Sequence, residues 1–166
     1  MTLAVLNQLD AAAFTQAVGW VFEHSPWVAD RAAPARPFAD VAELHNAMVQ
    51  QVENANPDEQ LQLLRAHPDL GTRARLSEAS NAEQSGAGLD SLTPEELHRF
   101  TSLNGSYKAK FGFPFLFAVQ GSTKHDILRA LGQRLVSSPE IESAEALRQV
   151  YRIAAFRLRD YLGLGA

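Results

Sequence analysis

His67 stands directly before Pro68, and a residue in that position is pushed out of the α region of backbone space. An imidazole presented at a helix end, with an unperturbed pKa of about 6.5, can act as a general acid or base. The same pattern fits a surface histidine beside a turn. Ser80-Asn81-Ala82-Glu83 likewise has two readings. It has the form of a capping box, with serine accepting from the amide three residues on and glutamate reaching back. Alternatively Glu83 faces a pocket, where its carboxylate accepts a hydroxyl proton or orients His67. Gln84 either hydrogen-bonds an amide-rich ligand or solvates the loop.

Arg157 comes three residues after Ala154 and seven after Val150, on the stripe that also carries Leu147, Tyr151, Leu158 and Tyr161. It therefore points to the apolar side of its helix, whereas Arg148, Arg152 and Arg159 fall nearer the opposite face. A guanidinium aimed inward needs a carboxylate partner or an anionic ligand, because an unpaired buried charge is costly. An ion pair and a ligand contact both satisfy that need.

Other chemistries are excluded by what is missing. Without cysteine the chain has no disulfide, thiolate metal site or Cys nucleophile. His24, His45, His67, His98 and His125 show neither H-x-x-x-H nor H-E-x-x-H spacing, so no metal is expected. There is no G-x-S-x-G elbow, dinucleotide fingerprint or P-loop, so nucleotide cofactors are disfavoured.

Helices must carry these groups. Val41, Leu44, Met48, Val52 and Ala55 recur at helical steps through 39–55. Asn56-Pro57-Asp58-Glu59 supplies an N-cap, a proline at the first position and acids for the helix dipole, opening a helix that stops near Ala66, just before His67. Thr93-Pro94-Glu95-Glu96 is a capping box for a helix through Leu97, Phe100, Leu103, Tyr107 and Phe111, closed by Gly112. Ser122-Thr123 caps a helix with Ile127, Leu128, Leu131 and Leu135, and Ser138-Pro139 opens the longest one, ending before Gly163. Residues 10–32 fit two short helices broken near Ser25-Pro26. Between Gly112 and Gly121 lies the apolar run Phe113–Val119 with a proline inside it. No second strand candidate exists to pair with it, so it reads as an extended buried segment. The least periodic stretch, 68–92, is expected to be irregular or lid-like.

The expected fold is all-α: one domain over 1–166, a bundle of seven to nine helices with one short extended apolar segment. The composition, 46% hydrophobic and 20% charged, is that of a globular protein. A formal net charge of −4 without a basic stripe argues against a nucleic-acid partner. No run of about 18 apolar residues suggests a membrane span, and the N-terminus lacks a secretory pattern, which gives an expectation of cytoplasmic residence.

Taken in order, His67-Pro68-Asp69-Leu70-Gly71, Ser80-Asn81-Ala82-Glu83-Gln84 with Ala87-Gly88-Leu89, Leu103-Asn104 with Tyr107, and Lys110-Phe111-Gly112-Phe113-Pro114-Phe115 resemble the 2-oxo-4-hydroxy-4-carboxy-5-ureidoimidazoline (OHCU) decarboxylases. The resemblance extends to Val18–Glu23 with Ser25-Pro26-Trp27, and to the stretch from Ile153 to Asp160. It implies an all-helical, cofactor-free homodimer that converts OHCU, a small ureide, to (S)-allantoin and carbon dioxide after urate oxidation. It further implies His67 as principal catalytic residue and Glu83 as its acidic partner. Pro68, Ser80, Gln84 and Arg157 would bind the substrate, together with the backbone of Phe115, Leu116, Phe117 and Ala118. Two other readings stand beside it: a helical binding module with structural His and Arg, and a hydrolase or isomerase acting on another ureide.

Overall fold

The computed structural model describes residues 1–71 and 77–165, and its contacts divide into two compact units: Met1–Ala66 with Tyr151–Ala166, and His67–Val150. Among the described residues the regular structure is nine α-helices and one 3-10 turn, with no strand. Among the described residues no helix is long and apolar enough to cross a membrane.

The first unit begins with two short helices, each capped by a side chain. In α1 (Leu3–Gln8) Thr2 accepts from the Val5 amide, and in α2 (Ala11–Val18) Asp10 accepts from the Ala13 amide. Then come α3 (Trp27–Ala32), α4 (Val41–Glu53) and α5 (Pro57–Arg65), the last opened by a complete capping box between Asn56 and Glu59. The expected break near Ser25-Pro26 separates α2 from α3; α1 was not anticipated. Leu44, Met48 and Val52 on α4 are fully buried with Leu6, Phe14, Phe22, Val28 and Leu158. Each such side chain contributes roughly 1.5–3 kcal/mol relative to an exposed one.

The second unit contains α6 (Glu78–Gly86), α7 (Pro94–Phe111), α8 (Lys124–Arg134) and the first half of α9 (Pro139–Tyr161). The capping boxes at Thr93–Glu96 and Thr123–Asp126 are both formed. Gly112 closes α7 at φ 80°, a left-handed conformation that glycine adopts without a Cβ penalty. Residues 114–119 run with neither helix, turn nor bend, as expected of the extended segment.

One expectation is corrected. Helix α6 occupies the centre of 68–92, so that stretch is not irregular throughout; positions 72–76 lie outside the described residues. Ser77, not Ser80, caps α6, its hydroxyl accepting from the Ser80 amide at 3.2 Å. Two serines three residues apart could each have started the helix, and the earlier one did. Ser80 is then buried inside the first turn and Glu83 lies a turn further on, so the Ser80–Glu83 capping box does not exist.

Candidate active site

The helix α5 ends at Arg65, with Ala66 as its C-cap, and His67 follows immediately. The imidazole is buried, only 7% exposed, which removes the alternative of a surface histidine beside a turn.

The loop that carries His67 is pinned at consecutive residues. The Leu70 carbonyl accepts from Asn104 Nδ2 at 2.8 Å, the Gly71 amide donates to Gln84 Oε1 at 3.1 Å, and Asp69 meets Lys108 Nζ at 3.3 Å. These backbone groups dictate which way each amide side chain points, since a carbonyl needs a donor and an N–H an acceptor. Gly71 has φ +73°, and a Cβ there would come within 3.1 Å of Leu92 Cδ1 and 3.3 Å of the Phe100 ring. A left-handed turn in close contact with a helix thus requires glycine at this position.

Ser80, Glu83 and Gln84 share one face of α6, because positions i, i+3 and i+4 fall together. Ser80 and Gln84 are buried and Glu83 is partly exposed. The contact from Gln84 to Gly71 brings this face to the His67 loop. Pro68, between His67 and the pinned residues, is partly exposed.

Phe115, Leu116 and Ala118 are buried and Phe117 is partly exposed. The Phe115 and Phe117 rings stack 6.1 Å apart at 17°, as expected of i, i+2 neighbours on one face of extended chain. Two groups of this backbone are held from behind: Gln149 Oε1 accepts from the Ala118 amide at 2.9 Å, and Arg134 donates to the Leu116 carbonyl. Among the described residues nothing accepts from the Phe115, Leu116 or Phe117 amides. Such N–H groups remain open to water or to a ligand.

One helix carries both parts of the site. Asn104 on α7 holds the His67 loop, and Tyr107, three residues or ~4.5 Å further along the axis, packs edge-on against Phe115 at 5.5 Å. His67, Pro68, Ser80, Glu83, Gln84 and the Phe115–Ala118 segment all belong to the second unit.

Arg157 belongs to the first unit, where it is 4% exposed. Its Nη2 lies 2.8 Å from Glu23 Oε2 and its Nη1 donates to the Val21 carbonyl at 3.2 Å. The inward orientation read from helical spacing is correct, and Arg148, Arg152 and Arg159 are exposed as expected. Spacing alone does not single out the buried carboxylate partner, Glu23. Glu23 sits in the irregular link between α2 and α3, where no periodicity marks it; an inward arginine was the available signal that such an acid must exist.

Sequence reasoning also missed the roles of Asn104, Arg134, Glu142 and Gln149. Burial pushes the Tyr107 phenol well above its ordinary range, reinforced by its 2.6 Å hydrogen bond to Glu142, so it remains a donor.

The family model described as OHCU decarboxylase matches residues 7–159. A Haloferax volcanii protein named 2-oxo-4-hydroxy-4-carboxy-5-ureidoimidazoline decarboxylase is 46% identical over 160 residues, 96% of this chain and 95% of its own length. A Bacillus subtilis uric acid degradation bifunctional protein is 45% identical over 97% of this chain, which spans only 33% of that longer protein. The crystal structure of an (S)-allantoin synthase superposes with a TM-score of 0.81 at 36% identity, covering 98% of this chain and 54% of that one.

Proposed function

The chain belongs to the OHCU decarboxylase family, and on that footing we propose that it converts OHCU to (S)-allantoin and carbon dioxide in urate breakdown. It is a carboxy-lyase. The observation that carries the residue-level reading is the buried imidazole of His67, at the end of α5 on a loop pinned by α6 and α7.

In the reaction the bond to the carboxylate carbon breaks and carbon dioxide leaves; the electron pair left behind moves into the ring C=N, whose nitrogen takes up a proton from solvent, giving an enol-like intermediate. The ring hydroxyl then gives up its proton as the carbonyl forms, and a proton is added at the carbon bearing the ureido group. Delivery to one face fixes the (S) configuration. His67 is the acid–base residue and Glu83 its acidic partner. Gln84 uses its carbonyl oxygen on Gly71, which directs its amide NH2 toward a substrate carbonyl. Ser80 and Pro68 line the pocket, and within the segment Phe115–Ala118 the edge of Phe115 and Phe117 receives the ring and ureido amides, while Leu116 and Ala118 are held by Arg134 and Gln149. Partial desolvation by the Phe115 and Phe117 rings favours loss of the charged carboxylate. Arg157, oriented by Glu23, directs the ureide carbonyls; a firm grip on the carboxylate itself would stabilise the ground state and slow its loss. No metal or organic cofactor enters this scheme. The whole of 1–166 acts as one catalytic domain in a cytoplasmic homodimer, with a small-molecule substrate and neither nucleic acid nor membrane as partner.

The test is direct. OHCU is generated in a cuvette from urate by the two upstream enzymes, and allantoin is followed by circular dichroism with and without this protein. A dichroic product formed faster than the spontaneous reaction is expected, and His67→Ala should lower the rate by roughly 10²–10⁴. Racemic product at the spontaneous rate would favour a binding module. A protein that consumes a different ureide would point to the hydrolase or isomerase reading.

A further inference from the structure

A lone extended segment has no sheet to set its register, and ordering each of its residues costs roughly 1–2 kcal/mol in backbone entropy. Something outside the segment must hold it. Two side chains do so, and they hold residues of the same parity. Arg134 grips the Leu116 carbonyl while Gln149 grips the Ala118 amide.

In extended backbone the N–H and C=O of one residue point to the same edge, and those of the next residue to the opposite edge. Leu116 and Ala118 therefore present the edge that the side chains hold. Phe115 and Phe117 present the other, where no described residue accepts from their amides.

Each anchor is itself fixed. Gln149 Nε2 donates to Glu145 Oε1 at 2.7 Å, which leaves its carbonyl end for Ala118. Arg134 Nε donates to Glu142 Oε1 at 2.6 Å, and that same oxygen accepts from Tyr107 Oη at 2.6 Å. The guanidinium also lies 4.6 Å above the Phe115 ring. Glu142 is 1% exposed, and a buried ion pair is a poor source of net stability compared with apolar packing. Its use here is geometric: a planar fork held by a carboxylate fixes a carbonyl in direction as well as distance.

We propose that Gln149 and Arg134, the latter set by Glu142, are positioning residues for the decarboxylation. They fix the register of the extended segment so that the Phe115 and Phe117 edge receives the ureide, an inference that rests on reading this segment as the substrate cradle.

The experiment compares wild type with Gln149→Met, Arg134→Lys and the exchange Gln149→Glu with Glu145→Gln, which restores an acceptor for Ala118 beside a donor. For each, amide hydrogen exchange is measured with and without (S)-allantoin, alongside KM, kcat and Tm. In wild type, allantoin should protect the Phe115 and Phe117 amides and leave Leu116 and Ala118 unchanged. Gln149→Met and Arg134→Lys should each raise KM about tenfold with kcat altered less than about threefold, as for lost uniform binding, and the exchange should recover most of the KM. If allantoin protects neither amide in wild type, the cradle reading fails and takes this inference with it. If wild type shows the protection but the single variants keep its KM and pattern, the positioning role alone is overturned. A fall in kcat and Tm at unchanged KM would also overturn it, because that marks a structural loss of active protein.

Discussion

Replacing Glu23 with leucine deprives the Arg157 guanidinium of its carboxylate while leaving it in a position that is 4% exposed. Breaking a buried pair from one side costs about 3–5 kcal/mol, because a charge taken out of water loses its main compensation. For a chain of this length each kcal/mol shifts Tm by roughly 2–4 °C, so Glu23→Leu should lower Tm by roughly 6–20 °C. The double change Glu23→Leu with Arg157→Met removes both charges and keeps apolar bulk. Such replacements are close to neutral, so the double variant should melt within roughly 5 °C of wild type. Thermal melts by circular dichroism measure this. Activity separates the second role. If Arg157 contacts the ureide, the stable double variant should lose roughly ten- to a hundredfold in kcat/KM, the range for one charge-assisted hydrogen bond. An unchanged Tm in Glu23→Leu would refute the pairing argument. A double variant with wild-type stability and wild-type kcat/KM would refute the substrate role of Arg157.

Gly71→Ala should cost about 1–2 kcal/mol from the left-handed backbone alone, and more from contact with Phe100 and Leu92. A drop in kcat larger than the drop in folded fraction, read by activity and melt together, would locate the damage at the His67 loop; equal drops would count against that placement. Tyr107→Phe removes a donor from buried Glu142 and should cost about 1–3 kcal/mol, a Tm fall of roughly 2–12 °C. A neutral result would mean that the hydroxyl does not serve the carboxylate. Acid should also weaken the fold. Hydrogen bonding to Arg31, to Lys124 and to the Thr123 backbone holds Glu59, Glu96 and Asp126, respectively, below the usual carboxylate range. Their contribution is present above the unfolded values of about 4 and is lost as pH falls through the lower folded values. Melting temperature is therefore expected to be flat from pH 8 to about 5 and to decline below about 4.5. A flat profile down to about pH 3 would contradict this.

The helices were legible wherever a cap and a periodic face agreed. Asn56-Pro57, Thr93-Pro94 and Thr123 each start a helix where their chemistry says, and Gly112 stops one. Legibility failed at α6, whose face is polar and whose two serines offer competing caps: local rules named the residues but not the register. Arg157 shows the other limit. Spacing gave its direction because direction is a property of one helix. Its partner Glu23, 134 positions away in the chain, is a property of the fold. The same holds for Arg134, Glu142 and Gln149, ordinary polar residues on helices whose importance comes from the segment behind which they fold.

The central claim is that a buried imidazole and an extended backbone edge, both held by α7, act on one ureide. A crystal structure with (S)-allantoin bound tests it most directly. The account predicts His67 within hydrogen-bonding reach of the ligand and the ureido or ring amides paired with the backbone of Phe115 and Phe117. Allantoin bound elsewhere, with His67 turned away and that edge still unpaired, would contradict it.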